Sequence, residues 1–93
     1  MLTYNDVITI LTLNGEFVGK FKEETAFGFR LEDPRLFMQN EEGTGFIPTI
    51  SMTGKQEPTS VLFYKNSMIS APLETAVEVS KAYTKSVSRI ELL

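Results

Sequence analysis

Residues 7–22 read VITILTLNGEFVGKFK, and the fold follows from how this stretch turns and bends. Asn14-Gly15 separates two apolar runs, and this pair tolerates the positive φ of a tight hairpin turn. Before the turn, Val7, Leu11 and Leu13 share one face and Ile8 and Ile10 the other, the pattern of a strand covered on both sides. After it, Phe17, Gly19 and Phe21 alternate with Val18, Lys20 and Lys22, as in a half-buried strand. Gly19 lies inside the returning strand, where a glycine gives up packing and marks a bend, a bulge or a close backbone approach. We read it as the bend of a small barrel.

Working outward, Glu23-Glu24-Thr25 reads as a solvated turn. Phe27, Phe29 and Leu31 then alternate with Gly28 and Arg30 in a further strand, which Asp33-Pro34 interrupts because proline donates nothing to a ladder. Leu36 to Gln39 resumes pairing beyond the kink. Residues 40–59 carry Gly43, Gly45, Pro48, Gly54 and Pro58 without sustained periodicity and read as a long excursion from the sheet. Phe46, Ile47, Ile50 and Met52 make part of it too apolar for a linker, so it is expected to form a hairpin or to pack on the domain or a neighbour. Val61 to Tyr64 and Met68 to Ala71 supply two more strands around a turn at Lys65-Asn66. After Pro72, Leu73, Ala76, Val77, Ser80, Tyr83, Val87 and Ile90 recur at helical steps, predicting an amphipathic helix over about 73–88. Glu74 and Glu78 near its start and Lys81, Lys85 and Arg89 toward its end suit the macrodipole.

Two blocks of this pattern resemble the Sm/Lsm family. Leu11, Leu13, Gly15, Gly19, Phe21, Leu31, Glu32 and Asp33 follow the family's first motif, and VLFYKNSMISA at 61–71 has the strand–turn–strand layout of the second. The likeness is greatest to the divergent Sm-like proteins of phages. It implies a mainly β fold, a strongly bent five-stranded antiparallel sheet or small barrel, here with a C-terminal α-helix. Sm proteins usually carry their helix before the first strand; with no room upstream of Val7, the C-terminal helix is expected to serve as the cover. The resemblance also implies a cyclic homo-oligomer closed by pairing the fourth strand of one copy with the fifth of the next, with Val61, Phe63, Met68 and Ile69 at or near the seam.

The family's uridine-binding pattern Asp-x-φ-x-Asn is met here by Glu24-Thr25-Ala26-Phe27-Gly28-Phe29, one residue short and without the Asn. Phe27 has two readings, a core strand residue alternating with Phe29 or a π face for a base. In the second motif Lys65 and Asn66 replace Arg-Gly. Asn66 tolerates a left-handed turn, and Lys65 offers a point charge without the planar fork of arginine. Lys65 is thus either an exposed turn lysine or, repeated around a pore, an anion site. The resemblance implies single-stranded RNA as a possible partner through Phe27, Lys65 and Asn66; the alternative is a structural ring whose insertion, Gly43 to Met52, contacts another protein.

Composition bounds these readings. The 93 residues suit one domain, 1–93, that buries about 65% of its unfolded surface and gains from association. Seven Phe and three Tyr are enough for a core and an interface. A net charge of −3 argues against a broad nucleic-acid footprint. With no His and no Cys, the common nucleophile–base pairs and thiolate metal sites cannot be built, so we expect no enzyme, no metal and no cofactor. The carboxylate pairs Glu23-Glu24, Glu32-Asp33 and Glu41-Glu42 lack a calcium-loop spacing and read as solvated. No run approaches the ~20 apolar residues of a membrane span, and MLTYND resembles no leader, so a cytosolic protein is expected. The helix stripe is read as cover for the barrel rather than as a membrane element.

Overall fold

The computed structural model describes residues 2–88. Six antiparallel strands and one helix are present: β1 (Val7–Thr12), β2 (Gly15–Glu24), β3 (Gly28–Asn40), β4 (Gly43–Ile47), β5 (Ser60–Tyr64), β6 (Leu73–Glu74) and α1 (Val77–Ser88), with a 3₁₀ turn at Lys65–Ser67. The strands lie in the order β4-β3-β2-β1-β6, and β5 also pairs with β3. The fold is mainly β, and the sheet does not close. Arg89 and Ile90, which the helical pattern included, lie outside the described residues.

Asn14-Gly15 makes the first hairpin, with Thr12 opposite Gly15 and Val7 opposite Lys20. The bend at Gly19 is a bulge: Val18 pairs with Arg35 and Lys20 with Glu32, so Asp33 and Pro34 together face Gly19. Gly19 suits the position because a Cβ there would stand 2.9 Å from Leu31 Cδ2. Asp33 takes a positive φ of 51°. Pro34 marks the point where β3 changes partner, from β5 over Gly28–Glu32 to β4 over Leu36–Asn40. A residue without an N–H therefore costs the ladder nothing. The kink expected at Asp33-Pro34 bends one 13-residue strand without ending it.

One strand, β4, comes from the expected excursion. Asn40 to Gly43 turns the chain and β4 returns along β3. Phe46 is set edge-on between Phe37 and Tyr83, with ring centroids 5.4 and 5.7 Å away. Ile50 packs against the core, while Met52 is fully exposed.

The helix begins later than the periodicity predicts. Pro72 does not open it: Leu73 and Glu74 pair with Thr9 and Ile8, extending the line begun by Met68 opposite Thr12 and by Ile69, whose N–H donates to the Leu11 carbonyl at 2.9 Å. The free edge of β1 takes these residues before a helix can form. The Thr9 and Thr75 hydroxyls, both buried, then bond at 2.9 Å.

Ile8, Ile10, Phe17, Phe29, Leu31 and Phe63 form the core, with Phe21, Val61 and Met68 packed on it. Each fully buried side chain of this kind contributes about 1.5–3 kcal/mol. The helix covers part of the opposite face, where Val18 is buried. Tyr83 is its anchor: wholly buried, it donates its hydroxyl to the carbonyls of Asp33 at 2.7 Å and Glu32 at 3.2 Å. These carbonyls lie at the bulge.

Candidate functional site

Two features stand out once the core is assigned: an exposed aromatic turn and two open sheet edges. The turn joins β2 to β3. Its tightness comes from Thr25, whose Oγ1 accepts the N–H groups of Phe27 and Gly28, both at 3.1 Å, while its own N–H donates to the Gly28 carbonyl at 2.8 Å. Phe27 consequently sits in the turn, ahead of the alternation that begins at Gly28, and is 71% exposed. The 3₁₀ turn docks beside it, with the Lys65 N–H donating to the Phe27 carbonyl at 2.8 Å. Phe27 and Lys65, predicted from separate sequence blocks, are thus brought together.

Tyr64, opposite Gly28 in the ladder, adds a second exposed aromatic ring at this end. It was missed, although the alternation of Val61 and Phe63 inward carried the signal: Leu62 and Tyr64 must then face out. Asn66 is exposed and lines a different concavity of about 570 Å³, together with Leu13, Phe17, Phe63 and Ile69.

The cations here are matched by carboxylates. Lys65 Nζ is 2.8 Å from Glu24 Oε2 and 5.4 Å from the Phe29 ring centroid. Arg30 pairs with Glu23 at 2.9 Å, Lys22 with Glu32 at 3.0 Å and Lys20 with Asp33 at 3.6 Å. The bond to Glu32 raises the pKa of Lys22, against a smaller opposing effect of burial. Arg35 is buried, bonds to the Pro34 carbonyl and has no carboxylate partner among the described residues.

The open edges lie on either side of the 3₁₀ turn. Among the described residues β5 pairs with β3 alone, and the run Met68 to Glu74 pairs with β1 alone. The side chains of Val61 and Phe63 belong to the core, so their outward offering is backbone. Met68 is half-buried, whereas Ile69, Leu73 and Val77 are 60%, 43% and 66% exposed beside the second edge. A groove of about 730 Å³ opens along this edge, lined by Leu2, Phe29 and Val77 with Asp6, Glu24 and Glu74.

Among the described residues no group of three His, Cys, Asp or Glu is gathered to hold a metal ion, and no helix is long and apolar enough to cross a membrane. No protein-family model, curated protein or solved structure matches this chain.

Proposed function

We propose that this protein is a non-enzymatic, ring-forming Sm-like assembly protein, in which the β5 edge of one copy pairs with the Met68–Glu74 edge of the next. The observation that supports the reading is the pair of unlike open edges, joined through one short turn. Unpaired edges attract strands, and an interface between two different edges propagates head to tail, closing into a ring where the rotation allows. Exposed Ile69 and Leu73 give that seam apolar side chains. The exposed turn, and Met52 at the end of the insertion, then face outward from the assembled sheet as contacts for a protein partner.

The experiment is a solution mass by light scattering. The native chain, 10.5 kDa, is expected at a fixed integer multiple of that mass, and Ile69→Asp at the monomer mass. Ile69 is exposed enough for the variant to fold, which circular dichroism checks. A monomeric native protein at high concentration sinks the reading.

A second reading, weak single-stranded RNA binding through Phe27, Lys65 and Asn66, draws support from the exposed Phe27, whose carbonyl accepts the Lys65 N–H. Base stacking on such a ring contributes ~1–3 kcal/mol and tolerates any base. Its mark is salt-sensitive oligouridine binding that Lys65→Ala removes.

A further inference from the structure

We infer that the open mouth of the sheet at its Asn14 end docks a second copy of this chain, mouth to mouth about a two-fold axis, with Met52 of each copy seated against Leu13 of the other. The inference rests on the reading of Met52 as a protein contact and names that protein as the chain itself.

The mouth is the concavity of about 570 Å³ that Asn66 lines. Phe17, Phe63, Met68 and Ile50 reach it from the core, and Leu13, 91% exposed, stands on its rim. None of its lining residues is charged. What places Met52 there is the loop that carries it. Ile50 lines the mouth, and two residues of chain span at most about 7 Å, so Met52 stands beside the mouth of its own copy. The Glu57 N–H closes the base of the loop on the Pro48 carbonyl. Its tip is bonded within itself: the Thr49 hydroxyl donates to the Ser51 carbonyl at 2.9 Å, and the Gly54 N–H donates to Ser51 Oγ at 2.9 Å. Met52 is thus presented, wholly exposed, on a tip already ordered for contact.

Charge and symmetry select a second copy as the occupant. With a net charge of −3, two copies repel across most of their surface, but residues 49–54, Thr-Ile-Ser-Met-Thr-Gly, are as free of charge as the mouth itself. Two mouths facing across a two-fold axis bring each tip to the other's rim, because each already stands beside its own; the contact is self-complementary. An unbranched, polarizable methionine suits an irregular apolar hollow. The exposed amides of Asn14 and Asn66 offer donors and acceptors to the backbone of the entering tip. Ile69 lines the mouth as well as the second sheet edge, so Ile69→Asp weakens both contacts.

The chain has no cysteine, so an introduced disulfide reports the contact directly. Leu13→Cys and Met52→Cys, both at exposed positions, are unfolded in urea, mixed, refolded together and oxidised. A disulfide dimer joining one of each variant is expected in several-fold excess over the dimer that either variant forms alone. By light scattering, Met52→Asp is expected to halve the native mass. The inference is overturned if the mixture gives no excess of mixed dimer, or if Met52→Cys alone crosslinks as well, because the tips then meet each other. It is also overturned if Met52→Asp keeps the native mass. The ring is tested apart from it. A native mass of two chains that Met52→Asp reduces to one refutes the ring and leaves the mouth contact standing; a ring whose mass Met52→Asp leaves unchanged refutes the mouth contact alone.

Discussion

Replacing Gly28 by alanine places a methyl group where β3 and β5 come closest. An ideal Cβ at this position stands 2.1 Å from the Phe63 carbonyl oxygen, 2.8 Å from its carbon and 3.0 Å from the Tyr64 Cα. All three are backbone atoms, so no rotamer change relieves the overlap. Carbon–oxygen contacts in sheets settle at about 3.3 Å or more, so β5 has to move outward by roughly 1.2 Å. That displacement strains the five residue pairs between Gly28–Glu32 and Ser60–Tyr64 and draws Phe63 out of the core. Overpacking costs typically 1–3 kcal/mol and occasionally more. The upper end, about 3 kcal/mol, is expected here, less the ~0.4–1 kcal/mol that alanine gains by stiffening the unfolded chain. Against a total stability of about 5–14 kcal/mol for a domain of this length, the loss is large. Gly45 is the control: it also lies in a strand, and a Cβ there meets nothing within 4 Å. Urea unfolding followed by circular dichroism should show the Gly28→Ala midpoint lowered by about 1–3 M, given urea slopes of about 1–3 kcal/mol/M, and Gly45→Ala unchanged or slightly raised. Equal midpoints for the two variants refute the pairing of β3 with β5 as described.

Tyr83→Phe removes the hydroxyl that holds α1 to the bulge and is expected to cost about 1–2 kcal/mol by urea unfolding. Burial chiefly, with the charge of Asp33 adding and Arg35 opposing, raises the pKa of Tyr83 well above its ordinary value. Above about pH 10 the unfolded chain releases this proton while the folded chain keeps it, so stability falls by about 1.4 kcal/mol per pH unit. Lys22, also raised, loses stability in the same direction; the difference between native and Tyr83→Phe unfolding from pH 9 to 11 isolates the tyrosine, and parallel curves contradict its buried state. Phe63→Ala is expected to cost about 3–5 kcal/mol and Phe27→Ala less than about 0.5 kcal/mol, a contrast that thermal melts check and that reverses if Phe27 is the core residue.

Much of the fold was legible because its signals are local. Asn14-Gly15 turns, Gly19 bends, Pro34 kinks, and the alternation around Phe17 and Phe29 points the right side chains inward. What escaped depends on partners distant in sequence. β4 was legible only as one of the alternatives for 40–59, a hairpin, and not as a defined strand, because Gly43 and Gly45 break its alternation, and Phe37 and Tyr83, which hold Phe46, come from elsewhere in the chain. Leu73 and Glu74 read as the first turn of a helix because nothing local tells of the free edge on β1. Of the candidate site, Phe27 and Lys65 were grouped through the family resemblance, and no local signal in either block gave the bond between the Lys65 N–H and the Phe27 carbonyl. The outward placement of Phe27 depends on Thr25 holding it in the turn, one hydroxyl against the alternation of a whole strand. The Glu24–Lys65 pair, spanning 41 residues, left no mark in either block.

The three partners of β3 reach it at very different times. β2 and β4 are hairpin neighbours, available as soon as their turns emerge, whereas β5 follows the far end of its target, Glu32, by 32 residues at Tyr64. At synthesis rates of about 5–20 residues per second, half of one edge of β3 therefore waits about 2–6 s for its cover, with Phe29 and Leu31 beside it and lacking Phe63. The excursion between β4 and β5 sets that interval. Its length is thus a folding variable as well as a structural one: shortening 48–59 is expected to reduce aggregation during cell-free synthesis, and an unchanged or larger yield of aggregate counts against this role.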